Sequence, residues 1–264
     1  MFDRAQYETI HPYNPEGTFY LPLAAGTERF DKEISTITRE DKAKFSHDIA
    51  FVGSLYIEKN PMRTMGEVSE YMTGYINGVV EASLKVMGYN FIEETVTEEL
   101  IAALKNAGLS YYNTNYSVAD NSSYFTAHSY LGVQATEVER IRTLNTLAQY
   151  FPVDLYTLSD TSDLINVRVR GSAKTLTEMP KIFHLSKINL NMTTKPIQTG
   201  LPLRIFDIMG CGGFCMTNFQ AELPEYFDIG VDIDISEAEN YDDFLSLVSD
   251  NDLIKGYKFN EKIL

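Results

Sequence analysis

From Lys187 to Asn218 the chain reads Lys-Ile-Asn-Leu-Asn-Met-Thr, a loop, then Gly-Leu-Pro-Leu-Arg-Ile-Phe-Asp-Ile-Met-Gly-Cys-Gly-Gly-Phe-Cys-Met-Thr-Asn. This stretch narrows the possible folds more than any other. Ile188, Leu190 and Met192 alternate with Asn189 and Asn191, the period-2 pattern of a strand. Gly200 lets the backbone turn, and Pro202 is expected at the first helical position, where a missing N–H costs nothing. Gly210, Gly212 and Gly213 end the helix, and Phe214 to Thr217 is short, apolar and strand-like. Strand, helix and strand in this order are one repeat of an α/β fold with a parallel sheet.

The chemistry of this unit lies where its helix begins. Free N–H groups of a first turn and the positive end of the helix dipole attract a phosphate. Arg204 adds a forked, permanently charged donor there, and Asp207, three residues on, shares its helix face. An anion site with a carboxylate one turn behind it suits a nucleotide diphosphate whose ribose hydroxyls need an acceptor. The alternative is a surface i,i+3 ion pair on an ordinary αβ unit.

Residues 179–227, "MPKIFHLSKINLNMTTKPIQTGLPLRIFDIMGCGGFCMTNFQAELPEYF", closely resemble the C-terminal domain of CgeB-like spore-maturation glycosyltransferases. The resemblance implies a GT-B fold whose Rossmann-like domain binds a nucleotide-sugar donor without a metal or cofactor, UDP-sugar before GDP-sugar. Asp207 then resembles the ribose-binding acid, an Asp where relatives more often carry Glu, and Gly200, Leu201 and Arg204 resemble the phosphate-facing segment. Arg204 would stabilise the diphosphate leaving group. Glu222 or Glu225, in Glu-Leu-Pro-Glu-Tyr-Phe, would accept sugar hydroxyls.

Two further segments carry the resemblance. Residues 48–56 read as the first strong strand, and the run "FVGSLY" places Gly53 and Ser54 at its carboxyl end, where α/β proteins gather ligands; a plain turn is the alternative. "YLPLA" at residues 20–24 resembles the entry from a preceding domain, so residues 1–46 are expected to be a crossover and 47–264 the donor-binding domain. On that reading the chain is the donor-binding half of a transferase, and an absent N-terminal domain supplies the acceptor site and the base.

Between these landmarks the αβ rhythm continues. A helix is expected over 61–88 from Met65, Val68, Met72, Ile76, Val79 and Met87, with Gly74 and Gly78 allowing close packing. A second helix spans about 98–107, capped by Thr95 or Thr97 and stopped at Gly108, and residues 110–127 read as a poorly periodic loop. Together 57–132 forms a helical insertion after the first strand. Thr136 with Glu139 reads as a capping box, and Val138, Ile141, Leu144, Ala148 and Phe151 as the buried face of the next helix. Strands follow at 153–157 and 167–170, then a helix at 178–186. In GT-B relatives the segment after the second of these strands lies against the base, so Arg170 and Gly171 are candidate base contacts; a solvated turn is the alternative.

Composition sets outer limits. A net charge of −15 argues against nucleic acid and anionic membranes as partners. The two cysteines, Cys211 and Cys215, have no Cys or His cluster beside them, which favours buried thiols in a reducing cytoplasm over zinc or a disulfide. No metal site is expected, since the acidic run Asp232, Asp234, Glu237, Glu239, Asp242 and Asp243 lacks calcium-loop spacing and reads as a solvated face, followed by an amphipathic turn at 244–248. His11, His47, His128 and His184 form no pair in sequence, and Lys187 reads as solvated. No apolar run reaches membrane-span length and no signal peptide opens the sequence, making cytoplasm the default. Two other functions stand beside the transferase: a non-catalytic nucleotide-sugar-binding or assembly module that needs a partner domain, and a doubly wound domain without a ligand.

Overall fold

The computed structural model describes residues 1–111, 121–230 and 233–235. The acidic run and the amphipathic turn after it lie outside the residues whose side chains are described, as do residues 112–120 of the expected loop at 110–127.

Among the described residues the strands form one six-stranded sheet in the order β3-β2-β1-β4-β5-β6. These are β1 (Ile49–Val52), β2 (Val153–Tyr156), β3 (Arg168–Val169), β4 (Ile188–Asn191), β5 (Cys215–Thr217) and β6 (Ile233–Ile235). Every pairing is parallel, with Ile49 opposite Val153 on one side and Ile188 on the other. Parallel strands need crossover connections, and the intervening helices cover both faces. The fold is α/β and Rossmann-like.

Burial on both faces changes what the alternation in β4 means. All residues of β4 are buried, including Asn189 and Asn191. Asn189 Nδ2 donates to the Phe183 carbonyl at 2.9 Å, and Asn191 Nδ2 donates to Thr217 Oγ1 at 2.8 Å, which offsets part of their desolvation, although Asn189 Oδ1 is buried without a partner.

One face of the sheet packs Ala50, Val52 and Tyr156 against α8 (Met179–Leu185) and α9 (Leu203–Gly210), with α2 (Thr27–Ser35) and α3 (Arg39–Phe45) against α8. Residues 1–46, expected as a crossover, are therefore largely helical and packed onto this domain. Their first helix, α1 (Arg4–Ile10), is N-capped by Asp3. The other face packs Phe51, Leu155, Leu190 and Met216 against Leu144 and Leu147 of α7 (Gly132–Leu147).

A third core lies within the segment between β1 and β2, built on α4 (Glu70–Lys85) and α5 (Glu98–Asn106). The expected helix over 61–88 is shorter: a 3-10 turn at Pro61–Thr64 is followed by extended chain, and α4 starts only after Ser69. The break has a cause. Gly66 N–H donates to the Ala107 carbonyl at 2.8 Å, which pulls this stretch to the end of α5. Gly74 and Gly78 do not mediate packing, because a Cβ at either would meet nothing within 4 Å. The Thr97 cap is present, its side chain accepting from Leu100 N–H, and Gly108 turns the chain at φ +89°.

The capping box at Thr136 does not form. Helix starts earlier, at α6 (Ser122–Phe125), and runs through a π-helical turn at Thr126–Leu131 into α7, so Thr136 is interior and its hydroxyl donates to the Gly132 carbonyl at 2.7 Å. The buried stripe of α7 is rotated from the expected one. Ala135, Thr136, Glu137, Arg140, Leu144 and Leu147 are buried, while Val138, Ile141, Ala148 and Phe151 are only half-buried. Pro202 stands one position earlier than expected, as the N-cap of α9 in extended backbone.

Candidate functional site

Chain order reverses between β1 and β4, which are neighbours in the sheet although the chain adds β2 and β3 on one side and β5 and β6 on the other. In open parallel sheets the crevice outside the carboxyl ends at such a point collects ligands. Its walls here are the segment after β1, the loop after β4, and α7.

Arg140 of α7 crosses this crevice. Its Nη1 donates to the Ser54 carbonyl at 2.6 Å and its Nη2 to the Met192 carbonyl at 2.5 Å, tying the end of β1 to the end of β4. The guanidinium also lies over the Tyr56 ring, 4.6 Å from its centroid. Burial pushes its pKa down to about 10, so it stays cationic at neutral pH. Beside it, Glu139 Oε1 accepts from Lys195 Nζ at 3.2 Å and Asn218 Nδ2 at 3.5 Å, while Asn218 Oδ1 accepts from Thr193 N–H at 2.9 Å. The loops after β4 and β5 are thus fastened to one another and to α7. Apolar periodicity does not mark Arg140 or Lys195, and Glu139 reads in sequence only as a capping-box residue. The signal was there: Thr136, Glu137, Arg140, Leu144 and Leu147 follow helical spacing if polar residues are admitted.

The residues expected at the site fall into separate groups. Gly53 and Ser54 are in the crevice under Arg140. Gly53 N–H is taken by the Tyr156 carbonyl at 3.0 Å, and Ser54 Oγ donates to Glu58 at 2.6 Å. Arg170 and Gly171 lie two strands away, past β3. Arg170 Nε donates to Asp154 Oδ1 at 2.6 Å, and Gly171, at φ +80°, accepts from Thr157 N–H at 2.7 Å. Asp154 also faces His47 Nδ1 at 3.2 Å; burial lowers the pKa of His47 and the Asp154 charge opposes that shift.

The remaining residues cluster at the start of α9. No side chain caps this helix. Arg204 Nη1 lies 3.5 Å from Asp207 Oδ2, the i,i+3 pair that was the alternative reading, and its guanidinium stacks over Phe183 with Met179 Sδ alongside. Burial lowers the pKa of Arg204 and raises that of Asp207, each opposed by the charge of the other. Leu201 is buried in the core. Gly200 is pressed against the N-terminal segment, where a Cβ would stand 2.7 Å from Asp3 Cα. Asp3 itself is buried and accepts from Gln198 N–H at 2.6 Å. Glu222 is buried too and accepts from Arg4 N–H at 2.9 Å and from the Tyr20 hydroxyl at 2.5 Å, while Glu225 pairs with Arg4 at 2.5 Å.

Lys187 pairs with Asp48 at the surface. Cys211 and Cys215 are free, buried thiols, and burial pushes both pKa values up, which makes them unreactive. Among the described residues no group of three or more His, Cys, Asp or Glu could hold a metal ion, and no helix is long and apolar enough to cross a membrane.

Residues 140–254 match a protein family described as glycosyl transferase-like. The matched span opens at Arg140 and takes in the second half of α7, the loop after β4 and all of α9, but not the segment after β1. It supports glycosyl transfer as the chemistry of this domain. No curated protein and no solved structure matches the chain.

Proposed function

We propose that this chain is the donor-binding part of a cytoplasmic, CgeB-like glycosyltransferase, taking a nucleotide diphosphate sugar, UDP-linked before GDP-linked, as its donor. The observation that carries the reading is the glycosyl transferase-like match over the β4–α9–β5 side of the crevice of a Rossmann-like sheet. In this proposal the diphosphate meets the uncapped start of α9 and Arg204. Charge developing on the leaving group is balanced there by backbone N–H groups and a fixed guanidinium. Asp207 accepts from ribose hydroxyls, a role that requires its ion pair with Arg204 to open or be shared. A preceding domain supplies the base.

Calorimetric titration with UDP, GDP and their sugar conjugates tests the donor site. The expected result is binding to the wild type and a loss of about tenfold, or 1.4 kcal/mol, in Asp207→Ala. Absence of binding to the wild type at millimolar nucleotide overturns the reading.

One observation favours a second reading, a nucleotide-sugar-binding module without turnover. Gly200, which would face the donor phosphate, and Glu222 and Glu225, which would face the donor sugar, are engaged by Asp3, Arg4 and Tyr20 of the same chain. Slow hydrolysis of a bound UDP-sugar to UDP favours the transferase, and binding without any hydrolysis favours the module.

A further inference from the structure

A half-open cleft separates the loop after α4 from the loops after β4 and β5. It is lined by Asn90 and Phe91 on one side and by Gln198, Asn218, Phe219 and Gln220 on the other. None of the residues assigned above to the donor lines it.

The cleft is built, not incidental. Gly88 sits at φ +73°, and a Cβ there would stand 2.8 Å from the Phe219 ring, so the bare glycine lets the insertion close onto that ring. Asn90 Nδ2 donates to the Lys195 carbonyl at 3.3 Å and ties the insertion to the loop after β4 as well.

Its chemistry is neutral and amide-rich. The one cation on the wall, Lys195, is already paired with Glu139, so nothing there calls for an anion. Gln220 is only 7% exposed, yet its Oε1 has no hydrogen-bond partner. A buried acceptor left open costs about 1–3 kcal/mol unless something fills it. Amide side chains offer a donor and an acceptor side by side, the pattern that matches vicinal hydroxyls, and the rings of Phe91 and Phe219 supply apolar faces for C–H groups. The cavity volume of about 50 Å³ is room for a few water-sized groups at 10–15 Å³ each, which suits one hydroxylated edge of a sugar ring with the rest in the open mouth.

We propose that this cleft binds a neutral carbohydrate, through Gln220 and Gln198, separately from the nucleotide. Its identity as the acceptor of the transfer rests on the donor-binding reading; its capacity to hold a sugar does not. The helical insertion then builds a substrate site within this chain instead of leaving acceptor choice wholly to a preceding domain.

Ligand-observed saturation-transfer NMR on the full chain tests this, with the methyl glycosides of glucose, galactose, N-acetylglucosamine and rhamnose as probes, with and without saturating UDP. At least one glycoside is expected to receive saturation whether or not UDP is present. Its affinity is expected to fall about tenfold in Gln220→Leu, the loss of one buried amide contact, and measurably in the more accessible Gln198→Ala, which guards against misfolding of the first variant. No saturation of any glycoside, or saturation unchanged in both variants, overturns the proposal. Saturation abolished by UDP also overturns it, because the cleft would then be the donor's own. If nucleotides bind and glycosides do not, this inference fails alone; if glycosides bind and nucleotides do not, only the donor reading fails.

Discussion

The unit β4–α9–β5 and the helix α7 flank the same crevice, but they are fixed in place by opposite means. Residues 188–217 are held by apolar packing and close backbone approach. A Cβ on Gly213 would stand 2.4 Å from the Phe183 carbonyl, so the turn after α9 and helix α8 meet at a separation only glycine permits. α7 packs Leu144 and Leu147 on the sheet, but its crevice end is held by polar and charged bonds, with Arg140 on two carbonyls and Glu137 taking Asn60 Nδ2 at 2.7 Å and Arg63 Nε at 2.7 Å. Packing of the first kind writes itself into sequence as glycines and alternating apolar residues. Bonding of the second kind leaves only polar residues on a face presumed dry.

The sharpest way to break this contrast is Arg140→Ala. It strands the Ser54 and Met192 carbonyls in a buried crevice and should cost about 3 kcal/mol, read as a lower midpoint in urea unfolding. Arg140→Lys should recover part of that loss, since one ammonium cannot reproduce a fork spanning two carbonyls. An unchanged midpoint in the alanine variant would mean that apolar packing alone positions α7. On the other wall, Gly213→Ala should cost about 2 kcal/mol through overpacking against the Phe183 backbone, measured the same way.

Smaller effects sharpen the comparison. Gly74→Ala on α4 should stabilise by about 0.5–1 kcal/mol, because the site is open and helical alanine loses less entropy on folding; a destabilised variant would reveal packing that the structure does not contain. His47 supplies a pH test. Its folded pKa lies below the ordinary value of 6.5, so the unfolded chain binds more protons in the window just below that value. Its contribution is constant above pH 6.5, and stability should decline as pH falls through the window toward the folded pKa. His47→Gln should flatten that slope in unfolding curves taken between pH 7 and 5, and an unaltered slope would assign it to other groups.

These contrasts explain how far the sequence could be read. The Thr97 cap, the glycine end of α9 and the pairing of Arg204 with Asp207 rest on contacts between near neighbours in the chain, and the parallel sheet was announced by the local strand–helix–strand order even though its pairings are distant; all were legible. What was not legible depends on partners far apart. Gly66 breaks the expected helix only because Ala107 is there to accept its N–H. Glu222 is an open carboxylate in sequence and a saturated one in the fold, because Arg4 and Tyr20 reach it from about 200 positions away. Thr136 and Glu139 have capping-box spacing, but helix had already begun upstream at Ser122, and no local pattern announces that.

The docking of α1 also sets an order of events in synthesis. Arg4 donates its backbone N–H to a residue 218 positions later, and Asp3 waits for Gln198. At translation rates of roughly 5–20 residues per second, Arg4 leaves the catalytic centre of the ribosome some ten to forty seconds before Glu222 is made. Through that interval the first helix, at seven residues too short to hold itself in water, has nothing to fold against. This early segment gains its partners only after β1 to β5 have been made, and a chain stalled before residue 222 would present it to any protease or chaperone nearby.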